Sequence, residues 1–239
     1  MAVNIKYMTI KIEYFSDVLC IWAYGGQVRM DELKQTFADD IEIEYRFVPI
    51  FGAGKQHVEN IWKDEGGLPG FNKHLQQVAT NWDHIEVSPE LWLNVTPESS
   101  TAAHLYLKAI QLLAKQGEIS DLSDEKFNGR TLFEQAIWLF RDAFFREGRD
   151  ISTRRVQEDI AQQMQLPVKR IHDVLDSGEA FAAMHLDDVA KQDYKVPGSP
   201  TLVLNDGRQM LYGNVGYRII DANVRELLHN PEQGEASWC

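Results

Sequence analysis

Apolar and polar residues alternate in short runs near the two ends of this chain and recur at helical spacing almost everywhere between them. The first run, Thr9 to Phe15, sets Ile10, Ile12 and Tyr14 against Lys11, Glu13 and Phe15, the period-two pattern of a buried strand. A second run places Ile41, Ile43, Tyr45 and Phe47 on one face and Glu42, Glu44, Arg46 and Val48 on the other, which predicts another strand. Between them, Tyr24 to Phe37 carries Val28, Met30, Leu33 and Phe37 at helical spacing. The connection is long enough for a parallel crossover, so the N-terminal section reads as a βαβ unit.

From about Phe51 to Lys191 the pattern is helical. Phe51-Gly52-Ala53-Gly54 and Gly66-Gly67-Leu68-Pro69-Gly70 are loop signals. Ser88-Pro89 and Thr96-Pro97 predict helix starts with an N-cap followed by proline. A helix is expected from Glu98 to about Gln116, another through Leu132, Phe140 and Phe144 to Arg146, and a third capped by Ser152. Beyond Pro167, two short helices run to about Lys191. Trp138, Phe140, Phe144 and Phe145 could line a ligand pocket, but their helical spacing favours core. The period then shortens again. Thr201 to Leu204 and Gln209 to Tyr212 read as a hairpin about Asn205-Asp206-Gly207, and Val215 to His229 as a final helix.

These elements predict an α/β protein. Residues 8–55 and 191–229 would form one discontinuous domain, βαβ followed by ββα around a four-stranded mixed sheet. Residues 56–190 would be a large all-helical insertion, and 230–239 a polar tail.

Composition narrows the function classes. The 239 residues carry a formal net charge of −12 and no basic cluster, which argues against nucleic acid and against an anionic membrane surface. No apolar run approaches membrane-spanning length, and no secretory signal is evident. Two cysteines, Cys20 and Cys239, do not make a disulfide framework. A reducing, cytoplasmic location is therefore expected. The seven histidines show no metal-ligand spacing.

The chemistry concentrates at one junction. Cys20 falls where the first strand gives way to a helix, and Ala23 stands where a dithiol redox motif would need its second cysteine. A thiol at a helix start meets unpaired backbone N–H groups and the positive end of the macrodipole, both of which favour the nucleophilic thiolate. A free cysteine can also be a small apolar filler of a core. Far along the chain, Val196-Pro197-Gly198-Ser199-Pro200 leads into the third strand. Proline belongs at such a strand start, and sequence leaves its isomer open.

Three stretches carry a family resemblance. Phe15-Ser16-Asp17-Val18-Leu19-Cys20-Ile21-Trp22-Ala23-Tyr24 resembles an F-x-D-x-x-C-P-W-C-Y junction. Gly198-Ser199-Pro200-Thr201-Leu202-Val203 resembles a cis-proline loop, and Ala143-Phe144-Phe145-Arg146-Glu147-Gly148-Arg149-Asp150-Ile151 resembles an A-F-F-x-E-G-x-D-I run. Together they resemble the DsbA-like thioredoxin-fold oxidoreductases, in the branch of FrnE-type proteins, hydroxychromene-carboxylate isomerases and kappa-class glutathione transferases.

That resemblance implies a thioredoxin-like fold, Cys20 as the attacking cysteine, Pro200 as a cis-proline facing it, and Ser199 as the residue whose backbone pairs with bound peptide or glutathione. Two departures matter: Ile21 replaces a proline, and Ala23 replaces the resolving cysteine. The chain is thus expected to be a monothiol oxidoreductase working through mixed disulfides with an external thiol such as glutathione. No tightly bound cofactor is expected. Expected partners are a small thiol or disulfide, neither nucleic acid nor membrane, and a possible second copy in a homodimer. The alternatives are a glutathione-dependent isomerase or transferase of small aromatic substrates, which needs a roomy apolar cavity, or a non-catalytic binding protein. Trp22 and Tyr24 could floor a substrate surface, Arg218 could bind a carboxylate, His104 could act as acid or base, and Asp17 could cap the helix. Cys239 could serve as a resolving thiol only if the tail folds back.

Overall fold

A computed structural model describes residues 9–229; Cys239 and the tail from Asn230 lie outside the described residues. The alternating runs form strands β1 (Ile10–Ser16), β2 (Ile41–Phe47), β3 (Thr201–Leu204) and β4 (Gln209–Tyr212). They make one mixed sheet in the order β2-β1-β3-β4, with β1 parallel to β2 and antiparallel to β3, and β3 antiparallel to β4. The register pairs Ile10 with Ile41 and Ser16 with Phe47. The two ends of the chain therefore meet on the strand that leads to Cys20, since Phe15 opposes Thr201.

The crossover from β1 to β2 is two helices rather than one. Helix α1 (Ile21–Gly25) ends at Gly26, and α2 (Gln27–Phe37) runs on from it. A Cβ at position 26 would lie 2.7 Å from the Trp22 carbonyl oxygen, so the bend needs glycine here.

Between β2 and β3 lies the helical insertion: α3 (Gly54–Ile61), α4 (Gly67–Ala79), α5 (Thr101–Lys115), α6 (Leu132–Phe145), α7 (Arg154–Gln163), α8 (Val168–Asp176) and α9 (Glu179–Asp193). Helix α10 (Tyr217–His229) closes the described chain. Helix α6 starts with a full capping box, Thr131 Oγ1 accepting from Glu134 N and Glu134 accepting from Thr131 N.

Three expected helix starts differ. No helix begins at Ser88-Pro89 or Thr96-Pro97. Local cap chemistry is overridden there by tertiary hydrogen bonds: Ser88 N donates to Phe145 O at 2.6 Å and Gly54 N to Glu98 O at 2.7 Å, holding this segment as a loop. Thr153, not Ser152, precedes α7, because Ser152 bonds back to Asp150. Helix α9 is a full 15 residues rather than a short piece.

One apolar core runs from the sheet into the insertion, joining Ile12, Tyr14 and Leu204 to Leu107, Ile137 and Phe144. Phe140, Phe144 and Phe145 are fully buried within it, as their spacing predicts. The opposite sheet face holds a smaller cluster of Phe15, Val48, Val196 and Val203. Beside it lies a buried ionic chain. Arg46 bridges Glu13 (2.8 Å) and Asp187 (3.2 Å), and Lys108 Nζ sits 2.6 Å from the other Asp187 oxygen, which also accepts from Phe47 N. This chain ties β1, β2, α5 and α9 together.

Candidate active site

The turn from β1 to α1 is built by a single carboxylate. Asp17 is fully buried, and one of its oxygens accepts from Leu19 N at 2.8 Å. The other accepts from Phe51 N at 2.9 Å and Ser100 Oγ at 2.8 Å. Its own amide donates to Ser199 Oγ at 2.8 Å. His104 Nε2 lies 3.5 Å from Asp17 and accepts from Val18 N at 3.1 Å. Burial raises the Asp17 carboxyl, but His104 and the Phe51 and Leu19 amides outweigh it and hold it below its ordinary value. Asp17 thus locks the thiol turn to the Ser199 loop and to the start of α5. His104 is fully buried and stacked on Phe47, which makes it part of this lock rather than an acid or base facing a cleft.

The turn delivers Cys20 to the N-cap position of α1, where its carbonyl accepts from the amides of Ala23 and Tyr24, both at 3.1 Å. The thiol faces Ser199, donating from Sγ to the Ser199 carbonyl at 3.3 Å. The Ser199-Pro200 peptide is cis. Gly213 N in turn donates to Pro200 O at 2.9 Å, and Tyr212 packs over Gly198, where a Cβ would lie 3.0 Å from the phenol oxygen.

At Cys20 burial opposes the pull of the helix start. Cys20 is only 7% exposed, and burial pushes its thiol up, against the pull of Ser199 and the Ala23 and Trp22 amides; the nearby Asp17 charge adds to the rise.

The insertion seals the flank of α1. Trp82 lies edge-on to Trp22 with ring centroids 5.6 Å apart, and a Cβ at Gly25 would meet the Trp82 ring at 2.8 Å. Arg141 is fully buried and donates to Ala23 O (3.2 Å), Ser16 Oγ (2.9 Å) and the Gln27 side chain. Trp82 and Arg141 are parts of the site that sequence reasoning missed. Both come from the insertion, far from Cys20 in sequence, and carry no local signal.

The other expected site residues divide. Trp22 is half-buried and, with Pro200, Arg29 and Val215, lines a cavity of about 20 Å³. Tyr24 turns the other way: it is buried, donates to Asp142 at 2.9 Å and stacks on Phe145 at 4.9 Å, so it belongs to the core. Arg218 is exposed in the first turn of α10 and is not among the residues lining the cavity beside Pro200. No His, Cys, Asp or Glu cluster able to hold a metal occurs among the described residues.

A strand-to-helix thiol facing a cis-proline loop, on a β2-β1-β3-β4 sheet interrupted by helices, defines a thioredoxin-fold thiol site. The chain belongs to the DSBA-like thioredoxin domain family, which it matches over residues 11–223. No curated protein matches it. Solved structures share the fold at low identity. A probable DsbA oxidoreductase from Streptomyces coelicolor is 16% identical, with TM-score 0.68, over 96% of this chain and 94% of that one. The cytosolic disulfide reductase DsbM from Pseudomonas aeruginosa is 16% identical, with TM-score 0.60, over 90% and 98%, and has also been solved with GSH. A 2-hydroxychromene-2-carboxylate isomerase is 15% identical, with TM-score 0.57, over 92% and 97%. Among the described residues no helix is long and apolar enough to cross a membrane.

Proposed function

We propose that the chain is a monothiol oxidoreductase that exchanges disulfides through Cys20 and an external small thiol, of which glutathione is the leading candidate. The observation that carries this reading is the Cys20 Sγ to Ser199 O contact of 3.3 Å beside cis-Pro200, with Ala23 in place of a resolving thiol. DsbM, a disulfide reductase that shares the fold and has been solved with GSH, is consistent with it.

In the forward step the Cys20 thiol gives up its proton and its sulfur attacks one sulfur of a substrate disulfide. The S–S bond breaks, one half leaves as a thiolate, and the other stays on Cys20 as a mixed disulfide. A glutathione thiolate then attacks the retained sulfur. Cys20 leaves as thiolate, is reprotonated, and a new disulfide departs. With a glutathionylated peptide as substrate, the peptide leaves as a free thiol, its glutathione half is the one retained on Cys20, and the departing disulfide is glutathione disulfide; one external glutathione is consumed per peptide released and Cys20 is regenerated.

We read the direction as reduction, because an external thiol held in excess over its disulfide draws the exchange that way. Ser199, at the mouth of the site, offers its carbonyl to an incoming peptide or glutathione N–H, which would take the place of the thiol's own hydrogen bond. An aromatic isomerase substrate finds no support in the cavity beside Trp22 and Pro200, whose volume is about 20 Å³.

The test is reduction of a glutathionylated peptide with glutathione as reductant. Turnover is expected for the wild type and background rates for Cys20→Ser. Full activity of Cys20→Ser would reject the proposal.

A further inference from the structure

The far edge of the sheet, at the end of β2 away from Cys20, carries an open row of backbone groups beside a groove. In β2 the odd-numbered residues turn their N–H and C=O away from β1. This follows from Val48 N, an even position, bonding to β1 at Ser16 O, while Tyr45 O and Phe47 N are taken from outside the sheet by Gln111 Nε2 (3.0 Å) and Asp187 Oδ2 (2.9 Å). Ile41 N is turned back to Ala38 O. That leaves Ile41 C=O, Ile43 N–H, Ile43 C=O and Tyr45 N–H in sequence, with no partner among the described residues, at the spacing an added strand requires.

These groups face a groove about 680 Å³ in volume that continues into a second hollow of about 180 Å³. The two share Ile43, Asp121, Thr131 and Glu134 in their walls. The groove is acidic beyond its internal pairing. Lys34 is taken by Glu134 at 2.5 Å and Lys115 by Glu44 at 2.7 Å. Asp39, Glu42, Asp121 and Glu125 also line it, are exposed, and have no cationic partner among the described residues. Leu122, 76% exposed, stands next to Asp121 and offers an apolar contact at the rim.

We infer that this edge docks an extended, lysine- or arginine-bearing segment of another protein, which adds as a strand to β2. Backbone bonding to Ile41, Ile43 and Tyr45 supplies register, and the four free carboxylates select basic side chains along the segment. A chain of net charge −12 repels acidic segments everywhere, and this groove concentrates that selection beside an unpaired edge.

Parity gives a sharp test. Ile43→Pro removes an N–H that faces the groove and takes no part in the β1 ladder, so the variant should fold; proline is tolerated at such edge positions. The probe is a fluorescent peptide alternating lysine and valine, followed by anisotropy on the full chain, with a glutamate–valine peptide as control. Saturable binding of the lysine peptide alone is expected, weakening with salt, and weaker by about tenfold or more in Ile43→Pro. The joint variant Asp39→Asn, Glu42→Gln, Asp121→Asn, Glu125→Gln should lower affinity without altering the circular dichroism spectrum. Equal binding by wild type and Ile43→Pro, or of both peptides, would overturn the inference. So would a self-association that Ile43→Pro abolishes without any peptide binding, which would assign the edge to a second copy of this chain.

Discussion

At the scale of single residues, the site is governed by two opposed burials. Asp17 is buried with three hydrogen-bond donors arranged around it, so its charge is retained. Cys20 is buried with one carbonyl acceptor for its proton, so its charge is suppressed. Cys20 in the free protein should therefore react slowly with iodoacetamide at neutral pH. The alkylation rate should rise with an inflection above the ordinary thiol value of about 8.5; an inflection below it would contradict the assignment. Asp17 has the opposite sign. A carboxyl held below its unfolded value stabilises the fold above about pH 4 and loses that contribution as pH falls through its folded value. Asp17→Ala would leave the Leu19 and Phe51 amides and the Ser100 hydroxyl without their acceptor, and should cost about 2–4 kcal/mol in urea unfolding. The acid limb of the stability profile should flatten in the same variant.

These residues were unequally legible in the sequence. Cys20, Ser199 and Pro200 stand out because each is chemically unusual at its own position. Trp22 and Tyr24 were grouped because both flank the thiol in sequence, yet side chains two apart on a helix point to different sides; Trp22 lines the same small cavity as Pro200, while Tyr24 stacks on Phe145. The N-cap position of Cys20 was foreseeable, but the state of its thiol was not, because desolvation depends on what covers it.

At the scale of elements, the insertion packs against the helix that follows Cys20. The turn following α4 places Trp82 against Gly25, and α6 places Arg141 against the carbonyl of Ala23. Gly25→Ala would drive a methyl to 2.8 Å from the indole and should destabilise the protein by about 1–3 kcal/mol, measured by thermal or urea unfolding. Strand and helix positions followed from periodicity because local alternation and burial agree there. The starts at Ser88-Pro89 and Thr96-Pro97 failed because Phe145 and Gly54 capture those backbones from elsewhere in the fold. Trp82 and Arg141 left no trace in local pattern for the same reason: their roles exist only after α4 and α6 have docked.

At the scale of the whole molecule, sheet and insertion share one core and one ionic chain, so the site is held from both sides. Lys108 is 3% exposed, and burial pulls its ammonium down while Asp187 supports it. Asp187→Ala would strand Lys108 and part of Arg46, and should cost about 3–5 kcal/mol in unfolding experiments. Lys108→Met together with Asp187→Leu should recover much of that loss, since an apolar pair avoids the desolvation of both charges. The DSBA-like family assignment and the mixed sheet account for where Cys20 and cis-Pro200 meet. They do not by themselves say how a chain with Ala23 resolves a mixed disulfide. Mass spectrometry of the intact protein after glutathione disulfide treatment addresses that directly. One glutathione on Cys20, removed by added glutathione and absent from Cys20→Ser, is the result predicted; an internal Cys20–Cys239 disulfide, or no adduct at all, would contradict it.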